Sequence, residues 1–152
     1  MIAFRSARPE EAAALTELCL CAKAVWGYGE DFIAACRAEL TLTPDQIAGS
    51  RVRVAEEEGE LVGMAELHFD RGTAQLDKLY IAPTALRRGA GRALFLWALA
   101  EARRAGATEM TIDADPNAAD FYRRMGASDD GLVPSGSIPG RRLPRLKLNL
   151  SR

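Results

Sequence analysis

The sequence predicts an α+β domain with the element order β-α-α-β-β-β-α-β-α-β. Three observations predict it. Strand-forming runs at 51–56, 61–69 and 74–81 are separated only by Glu57-Glu58-Gly59-Glu60 and Asp70-Arg71-Gly72-Thr73, both turn signals, and so form an antiparallel meander. A stretch of strong helix formers, Ala93 to Ala102, follows two glycines. After it come a strand at 108–114, a short helix at 118–125 and a last strand near 143–150.

The order of elements can be justified from the N-terminus. Residues 2–7 alternate weakly, as an edge strand does. Pro9, Glu10 and Glu11 suit a helix first turn, and Ala12, Leu15, Leu18, Cys19, Ala22 and Val25 recur at helical spacing. That gives an amphipathic helix over 9–25, broken by Trp26-Gly27-Tyr28-Gly29. A second helix runs from Asp31 to Leu40, and Thr43-Pro44-Asp45-Gln46 caps a short helical turn. Pro83 stops the third strand of the meander. The long helix ends on Arg103-Arg104-Ala105-Gly106, cations and then a glycine. Gly126 stops the short helix, and a Ser/Gly/Pro loop at 134–140 precedes the last strand.

Composition narrows the function. A length of 152 residues suits one domain, expected over 1–152, with no repeat or linker. A net charge of −1 advertises no nucleic-acid surface. No run of 18 apolar residues predicts a membrane span, and Met1 to Arg8 lacks the apolar core of a leader, so a cytoplasmic protein is expected. Three cysteines, Cys19, Cys21 and Cys36, read as reduced thiols rather than a disulfide framework. One histidine and no Cys/His cluster predict no metal site.

The chemistry concentrates where the third strand meets the long helix. A helix start preceded by glycines presents free N–H groups and a positive dipole end, an anion site to which Arg87 and Arg88 add charge. No Lys-Ser/Thr follows the glycines, as a P-loop needs. Leu94 stands where a dinucleotide fold has its third glycine.

Leu79-Tyr80-Ile81-Ala82-Pro83 followed by Leu86-Arg87-Arg88-Gly89-Ala90-Gly91 resembles the pyrophosphate loop of the GNAT superfamily of acyl-CoA N-acyltransferases. The family pattern is Gln/Arg-x-x-Gly-x-Gly/Ala after Leu-Tyr-Val-x-Pro. Leu86 takes the place of Gln/Arg. A second register, Arg88 to Ala93, also fits; the first keeps the usual strand-to-glycine distance. Asn117-Ala118-Ala119-Asp120-Phe121-Tyr122-Arg123-Arg124-Met125-Gly126 resembles the family's Asn-x-x-Ala/Ser-x-x-Phe-Tyr-x-x-x-Gly segment. The likeness spans nearly the whole chain. It implies a mixed, mostly antiparallel twisted sheet flanked by helices, with acetyl-CoA as cosubstrate.

The resemblance also implies roles. The strand of Leu79, Tyr80 and Ile81 splays from its neighbour, Leu79 N–H polarises the thioester carbonyl, and Ile81 runs along the pantetheine. Backbone N–H groups of Arg87, Arg88, Gly89, Ala90, Gly91 and Arg92 cradle the pyrophosphate. Asn117 hydrogen-bonds the pantetheine arm, Phe121 packs on it, and Tyr122 lies near the thioester sulfur. A phenol with a pKa of ~10 stays protonated at neutral pH and can donate to a leaving thiolate, so Tyr122 is the expected general acid.

The general base is less well marked. Where some family members carry a Glu, this chain has Gln75. Glu66 and Asp77 are the carboxylates on the central strands, with His68 on the face of Glu66, and Glu66 acting through water is the expectation. His68, Asp77 and Phe121 also read as ordinary strand and core residues. The acceptor site is expected from Trp26, Tyr28, Glu30 and Asp31 with Arg141 from the last loop, for a small, zwitterionic primary amine; an ordinary helix break plus a hairpin is the alternative. A non-catalytic acyl-CoA-binding module of the same fold is the rival to an N-acetyltransferase. A homodimer and a monomer are both left open.

Overall fold

The computed structural model describes residues 1–151. Strand β1 (Ile2–Ser6) leads through a 3₁₀ turn (Pro9–Glu11) to helices α1 (Ala12–Ala24), α2 (Glu30–Leu40) and α3 (Pro44–Gly49). The meander β2 (Arg51–Glu57), β3 (Glu60–Asp70) and β4 (Thr73–Ile81) follows. Then come α4 (Ala90–Arg104), β5 (Glu109–Asp113), α5 (Ala119–Arg124), β6 (Ser128–Pro134) and β7 (Arg142–Asn149).

The strands form one sheet in the order β1-β2-β3-β4-β5-β7-β6. Every pairing is antiparallel except β4 with β5, which are parallel and joined by the α4 crossover. The sheet has a core on each face. Helices α1 to α3 cover Val52, Val54 and Met64; α4 and α5 cover Leu67, Leu76, Met110, Ile112 and Leu146. Cys19 and Cys36 are buried and Cys21 is exposed, all as free thiols. Burial pushes the Cys19 thiol up to about 12. Among the described residues no helix is long and apolar enough to cross a membrane.

Local signals set the helix ends. Thr43 Oγ1 accepts from Gln46 N–H at 3.1 Å and Gln46 Oε1 accepts from Thr43 N–H at 2.8 Å, a reciprocal cap for α3. The first helix starts later than expected, at Ala12. Pro9 to Glu11 is a separate turn, and the Glu11 carboxylate accepts from Arg5 of β1 at 2.7 Å. Strand β6 is an addition to the expected order. Its polar start, Ser128-Asp129-Asp130, a left-handed Gly131 and a register shift between Asp129 and Leu132 leave no alternation to read. As an exposed edge strand it needs none.

Candidate active site

A break in the sheet creates the site. Strand β4 pairs with β5 only from Thr73 to Gln75. On its other side, Lys78 faces Glu66 and Leu76 faces Leu67, so Asp77 is an extra residue without a partner on β3. Such a bulge bends a strand, and beyond it β4 parts from β5. Ala82 N–H donates to Val62 C=O on β3 at 2.8 Å. Backbone direction alternates along an antiparallel pair, so Tyr80 also faces β3. The N–H groups of Leu79 and Ile81 point into the gap.

A cleft of about 620 Å³ runs through this gap. One end carries Arg87, Arg92 and Arg124, with Asp120 beside them on α5; the other is acidic, with Asp77, Asp113 and Asp115. Arg124 was not anticipated, although it stands three residues after Phe121 and so shares its helix face.

At the cationic end, Arg87 (φ 62°) and Gly89 (φ 86°) are left-handed, and Gly89 caps α4. The alternation curls the loop and leaves the first N–H groups of α4 facing the cleft. A Cβ on Gly91 would meet only Ile81 Cγ1 at 3.7 Å and Phe121 Cζ at 3.9 Å, both ordinary contacts. The protein itself does not require glycine there; the space it leaves belongs to the cleft. The side chain of Arg88 departs from expectation. Its guanidinium grips Glu57 of β2 with both nitrogens, one at 2.7 Å to Oε1, and holds that carboxyl down at about 2. Arg88 therefore ties the loop to the β2–β3 turn and lends its charge there.

Helix α5 supplies one wall. Phe121 meets Phe95 edge-on at 6.0 Å and lines the cleft. Tyr122 packs against both Phe95 and Phe121 and is 5% exposed. Burial raises the Tyr122 phenol well above its usual value, with the Asp115 carboxylate adding to the effect. It stays protonated, and among the described residues no buried side-chain polar atom lacks a partner, so this hydroxyl, which has none among them, is open to solvent where Tyr122 lines the cleft. Asn117 also lines the cleft, but its Nδ2 donates to Tyr28 Oη and Asp115 Oδ1, each at 3.0 Å.

The acids differ from expectation. Glu66 is 4% exposed and outside the cleft lining; it accepts from Lys78 Nζ at 2.9 Å and Ser50 Oγ at 3.0 Å. The β4 bulge separates it from the gap, and the salt bridge occupies it. Removing one partner of such a buried pair strands the other charge. Lys78→Met is therefore expected to lower stability by ~3–5 kcal/mol, read from the urea midpoint, and an unchanged midpoint would contradict this. Asp77 is the central-strand carboxylate that lines the cleft, with its side chain 24% exposed. Burial raises its carboxyl above the usual value, partly offset by His68, whose Nδ1 is hydrogen-bonded to Asp77 Oδ2. Gln75 Nε2 donates at 3.5 Å to Asp113, which Arg145 holds at 2.7 Å.

The expected acceptor residues divide. Trp26, 46% exposed, lines the cleft. Tyr28 instead folds back to stack on Phe32 at 4.1 Å, with the Arg141 guanidinium 4.8 Å over the Phe32 ring. Tyr28 Oη accepts from Arg141 Nη2 at 2.7 Å and donates to Asp115, which also accepts from Lys23 Nζ at 3.1 Å. Burial pushes the Asp115 carboxyl up, but the Asn117 backbone N–H, Lys23 and Tyr28 outweigh it and leave the carboxyl below its usual range. Glu30 and Asp31 lie exposed in the first turn of α2, outside the cleft lining. There they serve the helix dipole rather than the cleft.

The family is established by comparison. The model of the acetyltransferase (GNAT) family matches residues 17–127, and the chain belongs to that family. Its members are acyl-CoA-dependent acetyltransferases with acetyl-CoA as cosubstrate. The seven-stranded, mostly antiparallel sheet with flanking helices is that of solved relatives. PaiA N-acetyltransferase from Thermoplasma acidophilum, in complex with coenzyme A, superposes with a TM-score of 0.82 over 98% of this chain and 99% of that one, at 19% identity. YncA from Salmonella typhimurium, solved with its cofactor acetyl-CoA, gives 0.70 over 100% and 95%, at 25% identity. No curated protein matches by sequence.

Proposed function

We propose that the chain transfers the acetyl group of acetyl-CoA to a primary amine of a small molecule by direct attack, with Tyr122 as general acid and Asp77 as general base. The observation that carries this reading is the opening of β4 from β5 at Asp77. It brings two free backbone N–H groups, a phenol and a carboxylate to one cleft.

The residues present fit acetyl-CoA, which supplies an acyl group activated as a thioester. The α4 N-terminus, Gly89, Gly91, Arg87 and Arg92 hold the diphosphate, and Arg124 adds charge beside it. Ile81 and Phe121 flank the pantetheine, and Asn117 borders it. Leu79 N–H donates to the thioester carbonyl oxygen. Asp77 takes one proton of the ammonium, Tyr122 protonates the departing sulfur, and the second N–H proton lost as the amide forms restores the Tyr122 phenol. A small acceptor is favoured because the loop beside the acidic end is held in place. The β6–β7 loop is pinned to α2 by Ser137 Oγ donating to Glu39 at 2.9 Å and to Tyr28 by Arg141. Trp26 offers the acceptor a ring face.

Release of free thiol from acetyl-CoA across an amine panel tests the reading; a non-catalytic module releases none with any amine. The base is tested separately. The rate is expected to rise with pH as Asp77 loses its proton, on a limb above the ordinary carboxylate range because its carboxyl is raised. Asp77→Asn is expected to remove that limb and cost ~10² to 10⁴ in rate, while Glu66→Gln, compared at a temperature where it is folded, keeps turnover per folded molecule. The opposite ranking would return the role to Glu66.

A further inference from the structure

We propose that the acceptor is a monoamine with an aromatic body, whose ring lies on Trp26 and Val25 while its single ammonium meets Asp77. The inference rests on the reading of the cleft as an acetyltransferase site and names the class of acceptor. Trp26 and Val25 are 46% and 42% exposed, and both line the cleft. They stand at its acidic end, because Asp115 binds the chain on either side of them. Lys23 Nζ donates to Asp115 Oδ2 at 3.1 Å and Tyr28 Oη donates to it at 3.0 Å. Between these anchors Gly27, with φ 88°, turns the chain back after α1. The turn is therefore held at both ends, with its two apolar side chains exposed on the cleft wall. Large apolar groups left exposed in a cleft mark the place of an apolar ligand.

The carboxylates at that end leave a seat for one ammonium. Both oxygens of Asp113 are taken by Arg145, at 2.7 Å and 3.0 Å. Asp115 Oδ1 accepts from the Asn117 backbone N–H at 2.8 Å, and its Oδ2 accepts from Lys23 and Tyr28. Asp77 differs. His68 engages its Oδ2, and among the described residues no donor reaches its Oδ1. A second ammonium would meet only carboxylates that already have partners, and it would gain little from them. A carboxylate on the acceptor would fare worse. The cations bound at that end, Lys23, Arg141 and Arg145, are committed to Asp115, Tyr28 and Asp113, and none of them lines the cleft. The added carboxylate would give up water beside three acids and gain no cation in return. Arg141, which the sequence suggests for such a carboxylate, is thus withdrawn from the acceptor. What remains is one free oxygen for the ammonium and an indole face for the body, against which an aromatic ring stacks.

The test is kcat/KM for the amine at saturating acetyl-CoA, with phenylethylamine, phenylalanine, butylamine, diaminobutane and ethylamine compared at one pH. Phenylethylamine is expected to exceed phenylalanine by ~10²-fold, the order of the cost of a charge left without a partner. It should also exceed butylamine, and diaminobutane should be no better than butylamine. Trp26→Ala is expected to lose ~10-fold with phenylethylamine. The loss should be smaller with ethylamine, which carries the ammonium but too little apolar surface to cover the indole. Trp26→Phe keeps a ring face and should restore most of the preference. A preference for phenylalanine or for diaminobutane would overturn the proposal, as would phenylethylamine no better than butylamine. An equal loss with phenylethylamine and ethylamine in Trp26→Ala would make Trp26 a structural residue and overturn it too. Each of these results leaves the acetyltransferase reading standing. Thiol release with none of the amines would remove that reading, and this proposal with it.

Discussion

Tyr122→Phe is expected to slow acetyl transfer by ~10² to 10⁴, with acetyl-CoA affinity nearly unchanged. The substitution keeps the ring, and the ring makes the packing contacts, with Phe95 at 5.8 Å and Phe121 at 5.2 Å. It removes a hydroxyl that makes no hydrogen bond among the described residues, so none of them is stranded. Burial raises the phenol above its usual value. Before transfer it is fully protonated, so it can donate a hydrogen bond to the sulfur and a proton as negative charge builds there. The effect should therefore fall on the chemical step. Single-turnover kinetics read that step even where product release limits kcat. A variant with the parent single-turnover rate would take Tyr122 out of the acid role.

Gly91→Val is expected to cost the cofactor site two or more hydrogen bonds to a charged group, each worth ~1.5–3 kcal/mol, or ~10² to 10⁴ in affinity together. The fold should tolerate it. A Cβ there meets only Ile81 and Phe121 at 3.7 Å and 3.9 Å, and valine is a better helix residue than glycine. Gly89 is a poorer choice of variant, because its φ of 86° would strain any side chain and confuse folding with binding. Calorimetry with acetyl-CoA on folded protein decides the matter. Unchanged affinity would move the diphosphate away from this loop.

The parts of the site that are legible in the sequence are those held in contiguous stretches. The loop from Arg87 to Arg92 works through its backbone, and its two glycines report that directly. Phe121 and Tyr122 fall on one short helix and Asn117 in the turn that leads into it, so their spacing carries their arrangement. The base and the acceptor wall are not of this kind. Glu66 and Asp77 look equivalent as strand carboxylates until the bulge is seen, and a bulge is a mismatch in pairing between two strands. Tyr28 and Arg141 lie 113 residues apart, and both had been expected to face the acceptor. Their meeting over Phe32 and Asp115 depends on how the last hairpin packs against α2. Strand β6 escaped for a related reason: an exposed edge carries no alternation to mark it.

By itself the sequence determined the fold class, the meander, the glycine-led helix and the family. Each of these follows from local propensity, from hydrophobic period, or from a motif that one stretch of chain contains whole. Only the tertiary structure decided which carboxylate enters the cleft, where the charge of Arg88 goes and which aromatic rings close the acceptor end. Those outcomes depend on strand register and on ion pairs between segments far apart in the chain. A charged side chain takes the partner that packing brings within about 3–4 Å, and residue identity alone does not name that partner.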